Sequence, residues 1–151
     1  MQYLVYFGSV FEGCISLEEI KFGDNMQSEF LQHLEKAFKG CKSLKSVDLS
    51  HFETPIVREM QEMFSGCESL ETVILPKVDT KMVVDMTEMF KNNKKLTRLE
   101  LNLFDTSSLE RFDNMFENFN TAEGVKMIVD ADKISKIKDK IPSNVVLEKP
   151  Q

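Results

Sequence analysis

Apolar and polar positions along this chain recur at one fixed interval. Phe38, Phe64, Phe90 and Phe116 stand 26 residues apart, preceded by Ala37, Met63, Met89 and Met115 and followed three residues later by Cys41, Cys67, Asn93 and Phe119. Leu44, Leu70 and Leu96 keep the same interval, as do Val47, Val73, Leu99 and Val125, then Leu49, Leu75, Leu101 and Met127. Thr54, Thr80 and Thr106 form another column, and Met60, Met86 and Phe112 a further one. Upstream, one extra residue stretches the interval to 27 and brings Phe11, Cys14, Leu17, Ile20 and Phe22 into register. Agreement across so many columns marks an internal repeat, the sign of stacked units.

Each repeat predicts one helix and one strand. In the unit beginning at Thr54, the threonine suits an N-cap and Pro55 suits the first helical position. Val57, Met60 and Phe64 then follow at i, i+3 and i+7, one stripe of an amphipathic helix. Gly66 closes it, in a column with Gly13, Gly40 and Asn92, the residues that best accept a left-handed conformation. Leu70, Val73 and Leu75 give L-x-x-V-x-L, a strand with one buried face. The same template predicts a helix over 2–12, with Gly8 weakening it by about 1 kcal/mol. At the other end Ile134, Ile137 and Ile141 form a short helical stripe among lysines, Pro142-Ser143-Asn144 a turn, and Val145-Val146-Leu147 a last strand.

A 26-residue unit cannot bury its own stripe, whereas neighbours stacked in register can. The expected fold is therefore α/β: a right-handed leucine-rich-repeat solenoid with a parallel sheet on one face and helices on the other. It is expected as one domain over 1–151, with repeats at about 1–27, 28–53, 54–79, 80–105 and 106–130. A charged C-terminal cap over 131–151 closes the stack.

Segments such as Phe104-Asp105-Thr106-Ser107-Ser108-Leu109 with Met115-Phe116, and Met63-Phe64-Ser65-Gly66-Cys67-Glu68-Ser69-Leu70, resemble the 26-residue repeat of bacterial surface proteins. This is the BspA-like leucine-rich repeat found in mycoplasma lipoproteins, Gram-positive surface proteins and some protists. The resemblance spans roughly 3–129. It implies a non-enzymatic surface or secreted module used for adhesion or recognition, and it supplies no ligand.

Composition narrows the classes. The 151 residues are 42% apolar and 29% charged, as in a globular protein, with net charge -6. An acidic chain does not suit duplex nucleic acid as a partner. Residues 131–151 carry five lysines against three acids, so no basic stripe is hidden in the remainder. No run reaches the roughly 20 apolar residues of a membrane helix. The N-terminal Met-Gln-Tyr-Leu-Val-Tyr-Phe lacks the basic residues of a signal peptide, which leaves a cytoplasmic location open beside the surface location that the resemblance implies.

Candidate catalytic chemistry is thin. Cys14, Cys41 and Cys67 share one column, at spacings unlike the short pairs of zinc sites. They read as small side chains filling the bend between helix and strand rather than as metal ligands or redox sensors. His33 is placed on the helix beside Leu34, and His51 in the turn after the strand. Neither has a nucleophile or acid at a recognisable spacing, and no phosphate-cradling glycine loop occurs. The expectation is no enzyme, no cofactor and no metal. The lysines from Lys133 to Lys140 read as a solvated cap face rather than a docking strip.

Subtracting the repeat columns leaves variable positions on the exposed sheet face. Candidate partner-binding residues are Lys21, Ser46, Asp48, Thr72, Ile74, Arg98, Glu100, Asn102 and Lys126, with Glu19, Ser50 and Ile128 beside them. Aromatic rings are missing from the set, which disfavours sugars and single-stranded nucleic acid. A protein or peptide fits best. The alternative is a structural spacer that self-associates or abuts neighbouring domains.

Overall fold

The computed structural model describes residues 3–151. Five short strands form one parallel sheet: β1 (Ser46–Asp48), β2 (Thr72–Ile74), β3 (Arg98–Glu100), β4 (Val125–Ile128) and β5 (Val145–Glu148), in spatial order of sequence. Val47, Val73 and Leu99 align as Cα partners, so the repeat period is also the register of the sheet. All three are fully buried. The interval breaks at the fourth strand. Leu99 pairs with Met127, not with Val125, because the chain takes two extra residues to return. Met127 in turn pairs with Leu147, only 20 residues on, and the last unit is correspondingly shortened.

The helices expected opposite the sheet are not there, which overturns the α/β leucine-rich-repeat solenoid. Among the described residues the only helical element is a single 3-10 turn at Lys138–Lys140, where the cap helix was expected. The segment read as a helix over 2–12 is non-helical over its described part, and Gln2 lies outside the described residues. Backbone donors show what replaces them. The amides of Leu34, Lys36, Phe38 and Gly40 donate to the carbonyls of Glu59, Gln61, Met63 and Ser65 in the next coil, at 2.8–3.0 Å. Met60, Glu62, Phe64 and Gly66 repeat this toward Asp85, Thr87, Met89 and Lys91. Intervening amides close turns onto residues three back, as Met63 does to Met60 and Ser65 to Glu62. Every second amide thus leaves its own segment, and an α-helix needs all of them inside.

Two left-handed residues per coil bend the chain into this path. Gly13, Gly40, Gly66 and Asn92 have φ between 60 and 74°, as their column suggested, though they end no helix. Four residues earlier Ser9, Lys36, Glu62, Glu88 and Asn114 also hold φ of 54–56°. For a residue with a Cβ this costs about 1 kcal/mol, offset here by the bonds to the next coil. At Gly8 a side chain would crowd its neighbours, and the Glu35 and Tyr6 side chains would have to shift. A Cβ there would lie 2.6 Å from Glu35 Oε1 and 2.8 Å from the Tyr6 ring.

The core lies between these stacked turns and the sheet. Phe38, Phe64 and Phe90 are fully buried with rings nearly parallel, at centroid distances of 5.5 Å (Phe38–Phe64) and 5.7 Å (Phe64–Phe90). Phe11 and Phe116 extend the ladder at either end, at 5.6 and 5.7 Å. Thr54, expected to cap a helix, has a buried hydroxyl with no hydrogen-bond partner, while two others of its column tie coils together. Thr80 Oγ1 donates to the Asp105 carbonyl and accepts from its amide, Thr106 Oγ1 donates to Lys133, and Ser28 does the same for Glu53.

Candidate functional site

The strands present two rows of side chains to solvent. Register places Ser46, Thr72, Arg98 and Lys126 side by side, and Asp48, Ile74, Glu100 and Ile128 in the second row. Eight of the positions singled out from sequence are therefore neighbours on one face. Lys21 stands at its edge, lining a shallow pocket of about 210 Å³ with Ile20, Phe22, Asp48 and His51. Residues 18–21 form no strand, and Glu19 and Lys21 pair with each other in solvent at 3.1 Å.

At the other end of the face the rows converge on a polar cavity of about 270 Å³, where Arg98, Glu100 and Asn102 meet Ile128, Glu148 and Lys149. Arg98 donates to Glu100 Oε1 through Nε at 2.9 Å and Nη2 at 2.6 Å. Lys126 Nζ lies 3.0 Å from Glu148 Oε1 across the β4–β5 boundary. Asp48 accepts from the amide of Ser50 at 2.8 Å and from its hydroxyl. Arg98 and Glu100, and Lys126 and Glu148, are thus matched with each other, while Asp48 is held by Ser50 alone. Asn102 stands apart: its Oδ1 is shielded from water and accepts no hydrogen bond. Glu148 and Lys149 escaped the sequence reading because they belong to the cap. Only the short return from β4 to β5 brings them beside Arg98.

The cysteine column has a more definite role than filling space. Cys41 Sγ donates to the Phe11 carbonyl at 3.1 Å and Cys67 Sγ to Phe38 at 3.0 Å. Asn93 continues the pattern, its Nδ2 donating to Phe64 at 2.8 Å. Cysteine and asparagine alternate there because both carry a donor at the right reach. Burial, aided by the neighbouring thiol, pushes Cys41 up to about 11 and Cys67 higher still, so both stay protonated at neutral pH. Among the described residues no three His, Cys, Asp or Glu side chains converge as a metal would require.

His33 lies on no helix. It belongs to a ladder of isolated parallel bridges running Tyr6, His33, Glu59, Asp85 and Arg111 along the turn side. Its Nδ1 is 3.4 Å from Glu35 Oε2, and its ring lies 5.0 Å from that of Tyr6. The Glu35 carboxylate accepts the Tyr6 hydroxyl and raises its pKa. Asp85 is buried in the same ladder. Burial alone would raise its pKa, but bonds from Arg111 Nε at 2.8 Å and the Thr87 amide at 2.9 Å outweigh it and leave it below the usual range. His51 pairs with Asp24 at 3.3 Å.

Coils stacked by backbone bonds, each after the first carrying one strand, with a half-polar face and a cavity at one end: this is a repeat protein whose structural columns and surface positions are separable. The chain belongs to the family described as Mycoplasma protein of unknown function, DUF285, which it matches over residues 32–141. No curated protein and no solved structure matches it. No helix among the described residues is long and apolar enough to cross a membrane.

Proposed function

We propose that this chain is a non-enzymatic module that binds a protein or peptide through the solvent face of its sheet. The observation that carries the reading is Asn102, which lines the cavity beside Arg98 and Glu100 and whose Oδ1 is buried and unbonded. An orphaned carbonyl costs about 1–3 kcal/mol, and an incoming N–H or O–H would recover it. With most of its charges paired and Ile74, Ile128 and the half-exposed Val146 among them, the face favours a segment of mixed polar and apolar character. A highly charged polymer suits it less. The resemblance to BspA-like repeats supports an adhesive role at a cell surface.

Phage-displayed random peptides selected on the immobilised chain test this. Selected peptides should lose at least tenfold in affinity on the combined variant Asp48→Ala, Ile74→Ala, Arg98→Ala and Glu100→Ala, whose melting temperature should stay within a few degrees of the parent. Asn102→Leu should weaken the same peptides while raising stability. Peptides that bind both variants as tightly as the parent would move the site off this face.

A further inference from the structure

The column of hydroxyls that ties the coils together is broken at one place. Ser28 Oγ donates to the Glu53 carbonyl at 3.0 Å and accepts from the Glu53 amide at 2.8 Å. Thr80 Oγ1 holds the carbonyl and amide of Asp105 in the same way, at 2.9 and 2.6 Å. Both partners lie 25 residues further on, so the equivalent partner of Thr54 is Asp79. No such bond forms. Thr54 is 1% exposed, and its hydroxyl is buried without a hydrogen-bond partner. Its amide, whose counterpart at Thr80 donates to the Leu103 carbonyl, also finds no acceptor among the described residues.

The local sequence changes at the same place. Asp79 and Asp105 each accept the amide two residues on, from Lys81 at 2.9 Å and Ser107 at 2.8 Å. Glu53 cannot, because Pro55 has no amide to give. The Glu53 carboxylate reaches instead to Lys77 Nζ in the next coil, at 3.1 Å. A cavity of about 380 Å³ lies at this gap, lined by Glu53, Thr54, Pro55, Lys77, Asp79 and Leu103 from the segments that follow β1, β2 and β3. Leu103 is 43% exposed, in a column that holds His51 and Lys77 in the two preceding coils. Since Lys77 is paired with Glu53, Asp79 is the lining charge left without an ion pair among the described residues.

The intact links say what chemistry suits the free hydroxyl. In this column one hydroxyl takes the C=O and the N–H of a single residue. A buried hydroxyl left unpaired is unfavourable, and an occupant that pairs it gains by doing so. Rotation about χ1 interchanges the hydroxyl and the methyl of a threonine, which gives Oγ1 a route to the cavity that the residue lines. Pro55 and Leu103 offer apolar walls for an aliphatic side chain, and Asp79 offers a carboxylate for a cation.

We infer that this gap is a second binding site, which takes an extended peptide segment with an aliphatic residue next to Lys or Arg. The peptide backbone supplies the partner that Thr54 lacks, the aliphatic side chain packs between Pro55 and Leu103, and the cation faces Asp79. The site shares no lining residue with the cavity at Arg98, and either can fail without the other.

Titration of the isotope-labelled chain with acetyl-Arg-Leu-Arg-methylamide, read by amide chemical shifts, tests the inference. Saturable shifts should appear at Thr54, Lys77, Asp79 and Leu103. Thr54→Val should weaken binding about fivefold, as for one lost hydrogen bond, while melting no lower than the parent. Thr54→Ser, which keeps the hydroxyl, should retain binding. Asp79→Asn should weaken this probe and leave acetyl-Gln-Leu-Gln-methylamide unaffected. The combined sheet-face variant Asp48→Ala, Ile74→Ala, Arg98→Ala and Glu100→Ala should bind the probe as the parent does. Absence of saturable shifts at the four residues, equal affinity of Thr54→Val and parent, or loss of the probe on the sheet-face variant would each overturn it.

Discussion

Removing one ring from the middle of the phenylalanine ladder should cost far more than removing one from its ends. Phe64 is fully buried and lies between Phe38 at 5.5 Å and Phe90 at 5.7 Å, nearly parallel to both. Phe64→Ala gives up about 2 kcal/mol of transfer free energy for the lost apolar surface. It also leaves a void on the order of 100 Å³, which at about 24 cal/mol per Å³ adds roughly 2.4 kcal/mol where rigid coils cannot close it. The expected total is about 4 kcal/mol. Phe116 is 8% exposed and stacks on one side only, against Phe90, with Phe119 edge-on. Its alanine variant should cost about 2–3 kcal/mol, and Phe11→Ala about 1–2, since half-buried sites relax into solvent. Urea denaturation at a concentration where the parent is monomeric reads these values, provided the m-value is unchanged. Equal costs at the three positions, or a Phe64→Ala cost below about 1 kcal/mol, would refute the stacked arrangement.

Other perturbations separate stacked turns from helices or probe the ion ladder. Lys36 holds φ of 56°, so Lys36→Asn should stabilise by about 0.5–1 kcal/mol in thermal melts; in a helix the same change would destabilise. A Cβ at Gly66 would meet nothing closer than 3.7 Å, so the cost of substitution there is conformational. Gly66→Asn should therefore stay within about 1 kcal/mol of the parent while Gly66→Val loses about 2 or more, by urea midpoint. Because the folded-state pKa of Asp85 is depressed, its pairing stabilises the protein above the unfolded-state carboxyl value and is lost as pH falls through the folded one. Arg111→Gln should thus lower stability modestly at pH 7, because Arg111 is half in water, and the gap to the parent should close as pH falls below the ordinary carboxyl value. A gap that persists undiminished at pH 2 would mean the arginine acts by packing alone.

The repeat interval, the aligned columns, the parallel sheet of β1–β3 and the left-handed Gly/Asn column were all legible in the residues. They depend on which side chains recur at which spacing, and a stack of identical units forces like positions together. The helices were not legible, for a specific reason. Residues three apart, such as Val57, Met60 and Met63, point inward both on a helix and on a run of turns closed by three-back bonds. Side-chain spacing therefore fits either backbone equally. The difference lies in where amides such as those of Glu62 and Phe64 find acceptors, within the segment or on the next coil, and that is settled only when the next coil is in place. The candidate face was legible in the same partial way. Alternation identified Arg98, Glu100 and Asn102, but Glu148 and Lys149 joined them because a shortened last unit returns the chain two residues late and six residues early, a path length that no local pattern encodes.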